Sequence, residues 1–190
     1  LYGFLPLSKA QTISDGSQLN NIISSLSGGD ADVILNSDIT LPAAPDIING
    51  SLTINGGSDK FSIKGNNLSG FKINGADSQL ILRNLGMTGF NGEDTILKTT
   101  ESAQIKSIEN VNFHDNHIAS LKNNLTGGLW NTDKEINKIS GIFENNTITA
   151  GDESNTPSGY ARGAVFYHND YKCMIRKGCS HTDRMATPFL

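Results

Sequence analysis

Four ionisable side chains fall in two related stretches of the chain: His114, Asp115 and His117 in one, and Glu144 in the other. A histidine facing a carboxylate can divide the roles of general acid and base, because the imidazole changes charge near neutral pH. The His114-x-x-His117 spacing also offers two ring nitrogens to a divalent metal. Against both stands a plainer assignment, an exposed ion pair contributing less than about 1 kcal/mol. That plainer assignment is the expectation: no catalytic residue, no metal and no cofactor, with His114 and Glu144 the pair that would carry the chemistry if the protein were an enzyme.

The remaining chemical signals are sparser. Trp130, the only tryptophan, follows Gly127 and Gly128 in the longest predicted loop, where it is either a binding aromatic or a side chain folded back onto the body. Cys173 and Cys179 have neither Cys-x-x-Cys spacing nor the company of a zinc quartet, which leaves two free or locally paired thiols. Asn55-Gly56-Gly57-Ser58 reads as turn punctuation, since no long helix follows to receive a phosphate on its N-terminus. Asn-x-Ser/Thr words at Asn49, Asn67, Asn124 and Asn145 are expected by chance in a sequence with 21 asparagines.

The elements that must position these residues are strands. About 20 Ile are spread along a sequence of 190 residues with 18% charged residues, enough to bury a core in one domain. One segment alone has helical spacing: Ser14 and Asp15 offer capping oxygens, Leu19, Ile22, Ile23 and Leu26 recur on one face, and Gly28 and Gly29 end the run. From Ala31 the apolar residues come in strand-length groups at 33–35, 39–41, 47–48, 52–54, 61–63, 71–73 and 80–82. Ile54, Ile63, Ile73 and Leu82 are separated by 9, 10 and 9 residues, and the words Leu-Thr-Ile-Asn-Gly (52–56), Phe-Ser-Ile-Lys-Gly (61–65) and Phe-Lys-Ile-Asn-Gly (71–75) share one pattern. Each is a short strand with alternate side chains inward, closed by a glycine expected to take positive φ.

A longer repeat overlies the short one. Phe113-x-x-Asn116-x-Ile118 matches Phe143-x-x-Asn146-x-Ile148, and Met87 leads a degenerate earlier copy, giving steps of 26 and 30 residues. Nested periods of this size predict a coil with about three short strands per turn, a parallel β-helix of five or six coils. Stacked coils bring like positions together, so Met87, Phe113 and Phe143 are expected in one inward ladder, Ile118 over Ile148 in another, and Asn116 over Asn146 at a bend. The same register puts Glu144 one coil above His114. Loops leaving the coil are expected at 92–104, 122–138 and 151–159.

A net charge of −4 removes the positive field that nucleic acid or an anionic membrane would need. No apolar run approaches the roughly 20 residues of a membrane-spanning helix, so no membrane insertion by this segment is expected. The start at Leu1, without a signal-peptide pattern, suggests a processed or excised piece.

The Phe-x-x-Asn words with their following Ile, the run Ala-Arg-Gly-Ala-Val-Phe-Tyr at 161–167 and the stretch Ala-Asp-Val-Ile-Leu-Asn-Ser-Asp-Ile-Thr-Leu at 31–41 resemble passenger domains of bacterial autotransporters. The closest flavour is the polymorphic outer membrane protein and large adhesin type, and the resemblance covers Ala31 to Tyr167. It implies a right-handed β-helix outside the cell, used for adhesion. Gly163-Ala164-Val165 has one glycine where the family pattern has two, and no membrane-barrel segment is present in the sequence.

The expectation is therefore an all-β protein: an N-terminal segment with a capping helix over 1–30, right-handed parallel β-helix coils over 31–167, and a non-repetitive tail or cap over 168–190. Its expected role is an extracellular or cell-surface scaffold that is not an enzyme, with a host-surface protein or glycan as partner and self-association through the coil end. The rival role is a polysaccharide lyase or hydrolase, which would need clustered carboxylates with an Arg or Lys base, or a carboxylate pair about 5–9.5 Å apart. Scattered Asp residues and only four Arg (83, 162, 176 and 184) argue against it.

Overall fold

Alternation of buried and exposed residues governs each strand: in Asp30–Leu35 the odd members Ala31, Val33 and Leu35 point inward and the even members outward. The computed structural model describes residues 10–92, 95–119, 129–132, 134–150 and 170–173. Within them the protein winds as a parallel β-solenoid of about five turns. It starts with β1 (Gln11–Ile13), α1 (Gly16–Ser25), β2 (Asp30–Leu35) and β3 (Ile39–Thr40). A three-sided turn follows in β4 (Ser51–Asn55), β5 (Ser62–Lys64) and β6 (Phe71–Asn74). Ile54 and Leu82 are register partners, so three of the short sequence steps complete one turn.

The later turns gain a fourth side. One consists of β7 (Gln79–Arg83), β8 (Gly86–Thr88), β9 (Asn91–Gly92) and β10 (Leu97–Thr100). The next has β11 (Gln104–Glu109), β12 (Asn112–His114), β13 (His117–Ala119) and β14 (Trp130–Asn131), followed by β15 (Lys138–Ile139), β16 (Phe143–Glu144) and β17 (Thr147–Ala150), then β18 (Asp170–Cys173). The sheets run β1-β2-β4-β7-β11-β15, β3-β5-β8-β12-β16, β6-β10-β14 and β9-β13-β17-β18, called first to fourth below. The expected loop at 92–104 is thus corrected, because it contains β10 and so forms part of the coil wall. Likewise β14 lies inside the expected loop at 122–138, while 151–159 falls outside the described residues. The expected boundary after Tyr167 does not end the stack either, since β18 pairs in parallel with β17.

The helix forms where expected and shows why. Asp15 is its N-cap, accepting from Gln18 N at 3.0 Å, and the Gln18 side chain accepts from the Asp15 N–H in return. Leu19, Ile23 and Leu26 are buried against the coil end, while Asn20 Nδ2 donates to Ala43 O and Ser24 Oγ bonds Asp46 Oδ2. The helix so covers the first coil's apolar end, with β1 beside it on the edge of the first sheet. That strand was invisible in the sequence because three residues, Gln-Thr-Ile, are too few to display alternation.

The repeated glycines have two different reasons. Gly75 has a φ of 102°, as the sequence words imply. Gly56 and Gly65 lie outside that region and are corrected: a Cβ on Gly56 would come 2.1 Å from Asn84 O, and one on Gly65 would strike the Phe90 ring at 2.5 Å. Close approach of neighbouring coils, not backbone twist, requires glycine there.

The interior is a set of ladders. Val33, Ile54, Leu82 and Ile108 stack in the first sheet, and Ile39, Ile63, Met87, Phe113 and Phe143 in the second. Phe113 and Phe143 lie nearly parallel with ring centroids 5.7 Å apart, and Trp130 meets Phe143 edge-on at 5.6 Å. Ile118 and Ile148 are register partners in the fourth sheet.

The bend between the second and fourth sheets is a ladder of another kind. Gly89, Asp115 and Asn145 occupy it in successive coils, all with positive φ. Beside them Asn116 Nδ2 donates to Met87 O (3.0 Å) and to Asn146 Oδ1 (2.8 Å), and Asn116 Oδ1 accepts from Phe90 N (3.0 Å). Asn146 Nδ2 repeats the pattern by donating to Phe113 O at 3.0 Å. These buried amides satisfy turn backbone that would otherwise lack partners.

Two substitutions test these ladders. Phe113→Ala should cost about 3–5 kcal/mol in urea unfolding, and Phe143→Ala somewhat less, because its site at the last described coil can relax; a loss below about 1 kcal/mol for Phe113→Ala would contradict the aromatic stack. Asn116→Leu should destabilise more than Asn67→Leu in the same assay, since only Asn116 carries buried backbone bonds; equal effects would dismiss the amide ladder.

Candidate functional site

The residues singled out for chemistry sit on the second sheet's outer face and the bend beside it. Phe113 points inward, so His114 must point outward, and the bend then turns the backbone onto the fourth sheet, where His117 begins β13. His114 and Glu144 are register partners, as expected from the repeat. The hydrogen bond of the imidazole goes elsewhere: Nδ1 lies 2.7 Å from Asp115 Oδ2, its sequence neighbour, which the positive φ of Asp115 swings alongside. Neither side chain of this pair is withdrawn from water, with His114 35% and Asp115 63% exposed. A hydrogen-bonded His and Asp with a carboxylate in the next coil can pass a proton at the surface. The bend separates His117 from His114 onto another sheet, and no group of three or more metal-ligating side chains occurs among the described residues.

Of the two placements expected for Trp130, the structure has the side chain folded into the body. It is fully buried in β14, paired with Leu97 of β10, and its ring contacts Phe113 and Phe143. Its large apolar ring fills the widened four-sided interior, and among the described residues its indole N–H has no acceptor. The side chains of Cys173 and Cys179 lie outside the described residues.

A charged network was not singled out from sequence. On the outer face of the first sheet, Glu109 accepts from Lys138 Nζ (2.9 Å), Ser107 Oγ (3.0 Å) and Arg83 Nε (3.3 Å), so one carboxylate joins three consecutive coils. Hydrogen bonds from Lys138 and then Ser107, with the Lys138 charge and the Arg83 bond adding to them, hold the Glu109 carboxyl below its ordinary range against a partial desolvation. Nearer the N-terminal end, the bond from Lys64 and the Ser62 N–H likewise lower Asp38, whose carboxylate lies 2.9 Å from the Lys64 ammonium. Aligning Leu82-Arg83-Asn84 with Ile108-Glu109-Asn110 would have revealed opposite charges at one outward position.

A carboxyl lowered on folding stabilises fully above the ordinary carboxylate range, and that stabilisation is lost as pH falls through its lowered value. The wild-type advantage over Glu109→Gln in urea midpoint should therefore shrink as pH falls below about 4. A constant gap through that window would remove Glu109 as a pH-dependent tie.

No protein-family model, curated protein or solved structure matches this protein.

Proposed function

We propose that this protein is a non-catalytic scaffold, secreted or displayed at a cell surface, whose outer faces and loops bind a host-surface protein or glycan. The observation that carries the reading is the pairing of outward ionisable side chains with one another: Lys64 with Asp38, Arg83 and Lys138 with Glu109, His114 with Asp115. Such pairs tie coils and turns together and spread the ionic groups over the surface, whereas a polysaccharide-cleaving centre gathers them at one scissile bond. Between the pairs, outward Thr, Asn, Ser and Gln recur from coil to coil, as in Ser51, Gln79 and Gln104, a surface suited to hydrogen bonds repeated along an extended ligand. The words resembling autotransporter passengers agree with display outside the cell.

The rival reading draws on one contact, the His114–Asp115 bond beside Glu144. Assays on pectate, other uronic-acid polymers and neutral glycans separate the two. The scaffold predicts no turnover by the intact protein and, on arrays of glycans and host-surface proteins, binding that survives His114→Ala. Turnover that disappears in His114→Ala or Glu144→Gln would replace the scaffold with a lyase or hydrolase.

A further inference from the structure

Four Asn-Gly pairs occur in the sequence, at 49–50, 55–56, 74–75 and 91–92. This dipeptide can convert itself: the deprotonated glycine nitrogen attacks Cγ of the preceding asparagine, a new C–N bond closes a succinimide, and the bond from Cγ to Nδ2 breaks to release ammonia. Water then opens either carbonyl of the ring, giving aspartate or isoaspartate, so the balance is one water gained and one ammonia lost. Glycine favours the reaction because no Cβ obstructs the ring. The step needs a glycine N–H that is not already committed to an acceptor, since a hydrogen bond both holds the nitrogen away and opposes loss of its proton.

The fold treats the four pairs differently. Gly50 N donates to Ser78 Oγ at 2.9 Å in a buried bond, and Gly56 N donates to Arg83 O at 2.9 Å. Asn91 and Gly92 form β9, held in parallel register against His117 and Ile118. Gly75 stands just past the end of β6 with a φ of 102°, at the head of a turn closed by Ser78 N on Gly75 O, and among the described residues its own N–H has no acceptor. Its partner amide is polarised as well: Asn74 Oδ1 accepts from Thr100 Oγ1 at 3.0 Å, which draws electron density from Cγ. We infer that Asn74 is a site of spontaneous deamidation, selected by the fold from among the four pairs.

The two products differ in consequence. Aspartate at 74 keeps the acceptor for Thr100 and adds a negative charge on the outward face it shares with Lys72, two residues back along β6. Isoaspartate inserts an extra backbone atom where Asn74 N bonds Ile48 O at 3.0 Å, and so loosens the junction of three coils in the third sheet.

Prolonged incubation of the folded protein at mildly alkaline pH, followed by peptide mapping with separation of aspartate from isoaspartate, tests the assignment. Conversion at Asn74 should run several-fold ahead of Asn49, Asn55 and Asn91 in the folded protein, and that lead should vanish in concentrated denaturant, where all four pairs are equally exposed. Ser78→Ala, which frees the Gly50 nitrogen, should raise conversion at Asn49 several-fold. Conversion at Asn74 no faster than at the other pairs would overturn the assignment, and the same ranking in denaturant would show that the fold does not select it. The folded-versus-denatured comparison stands even if Ser78→Ala unfolds.

Discussion

Parallel hydrogen bonding between successive coils is the constraint from which the rest of this molecule follows. Each strand takes its partners from the turn before and the turn after, so a residue's neighbours are decided by register and not by sequence proximity. Inward positions then meet inward positions, and an apolar ladder such as Ile39, Ile63, Met87, Phe113 and Phe143 can grow in residue size as the cross-section widens. Burial of each large member contributes about 1.5–3 kcal/mol, and because the members touch, removing one opens a cavity bounded by its own equivalents. The same rule makes the coil ends special, since an end coil has half the partners. Here α1 covers the N-terminal end, while Ile139 and Ile142 remain exposed, at 42% and 52%, in the last described turns of the first and second sheets.

Corners are where parallel coils run into difficulty, because a backbone that turns sharply leaves amide groups with no strand opposite. This molecule meets the problem with asparagine. Asn84 and Asn110 take positive φ at one corner and bond each other through their side chains at 3.0 Å; Asn116 and Asn146 stand beside another corner and reach into the turn above or below. Asparagine tolerates the left-handed conformation and supplies both a donor and an acceptor, so a single residue type can serve both needs. Its abundance in the composition is the trace of corner chemistry. The reactive pair at Asn74 and Gly75 belongs to the same pattern, where a corner that uses Asn-Gly without tying the glycine nitrogen leaves it open to its neighbour.

Legibility in the sequence tracked how local each signal was. The short repeat gave strand identity and the parallel winding, because Ile54, Ile63, Ile73 and Leu82 each carry the inward position of their own strand. The Phe113/Phe143 and Asn116/Asn146 registers were legible for the same reason. What failed were features without a repeated word: β10 and β14 have no apolar-polar-Ile-polar-Gly pattern, so the third-sheet wall of the later turns read as loop, and Trp130 was placed on that loop although its ring is buried in the interior. The Arg83–Glu109–Lys138 tie escaped notice because its members lie in three different turns, and charge pairing across them emerges only once the register is known.

A packed solenoid interior leaves chemistry to the outer faces, and there the stacking rule has a functional edge. Any outward charge finds the equivalent position of the next coil about 4.8 Å away, so a like charge there is costly and an opposite or neutral one is favoured. Opposite charges in register neutralise one another, as Glu109 does with Arg83, and a long side chain reaches the same carboxylate from off register, as Lys138 does from the position paired with Ser107, while neutral polar columns stay available for a ligand. Gathering several unpaired carboxylates in one place would require working against this tendency, either through a loop that leaves the coil or through ions that neutralise them. The His114–Asp115 contact lies along the backbone at a corner, where the positive φ of Asp115 brings the two side chains together, while Glu144 stands in register with His114 in the next coil. Corners therefore let this fold pair ionisable groups that are neighbours in sequence, whereas on the flat faces the pairing runs between coils.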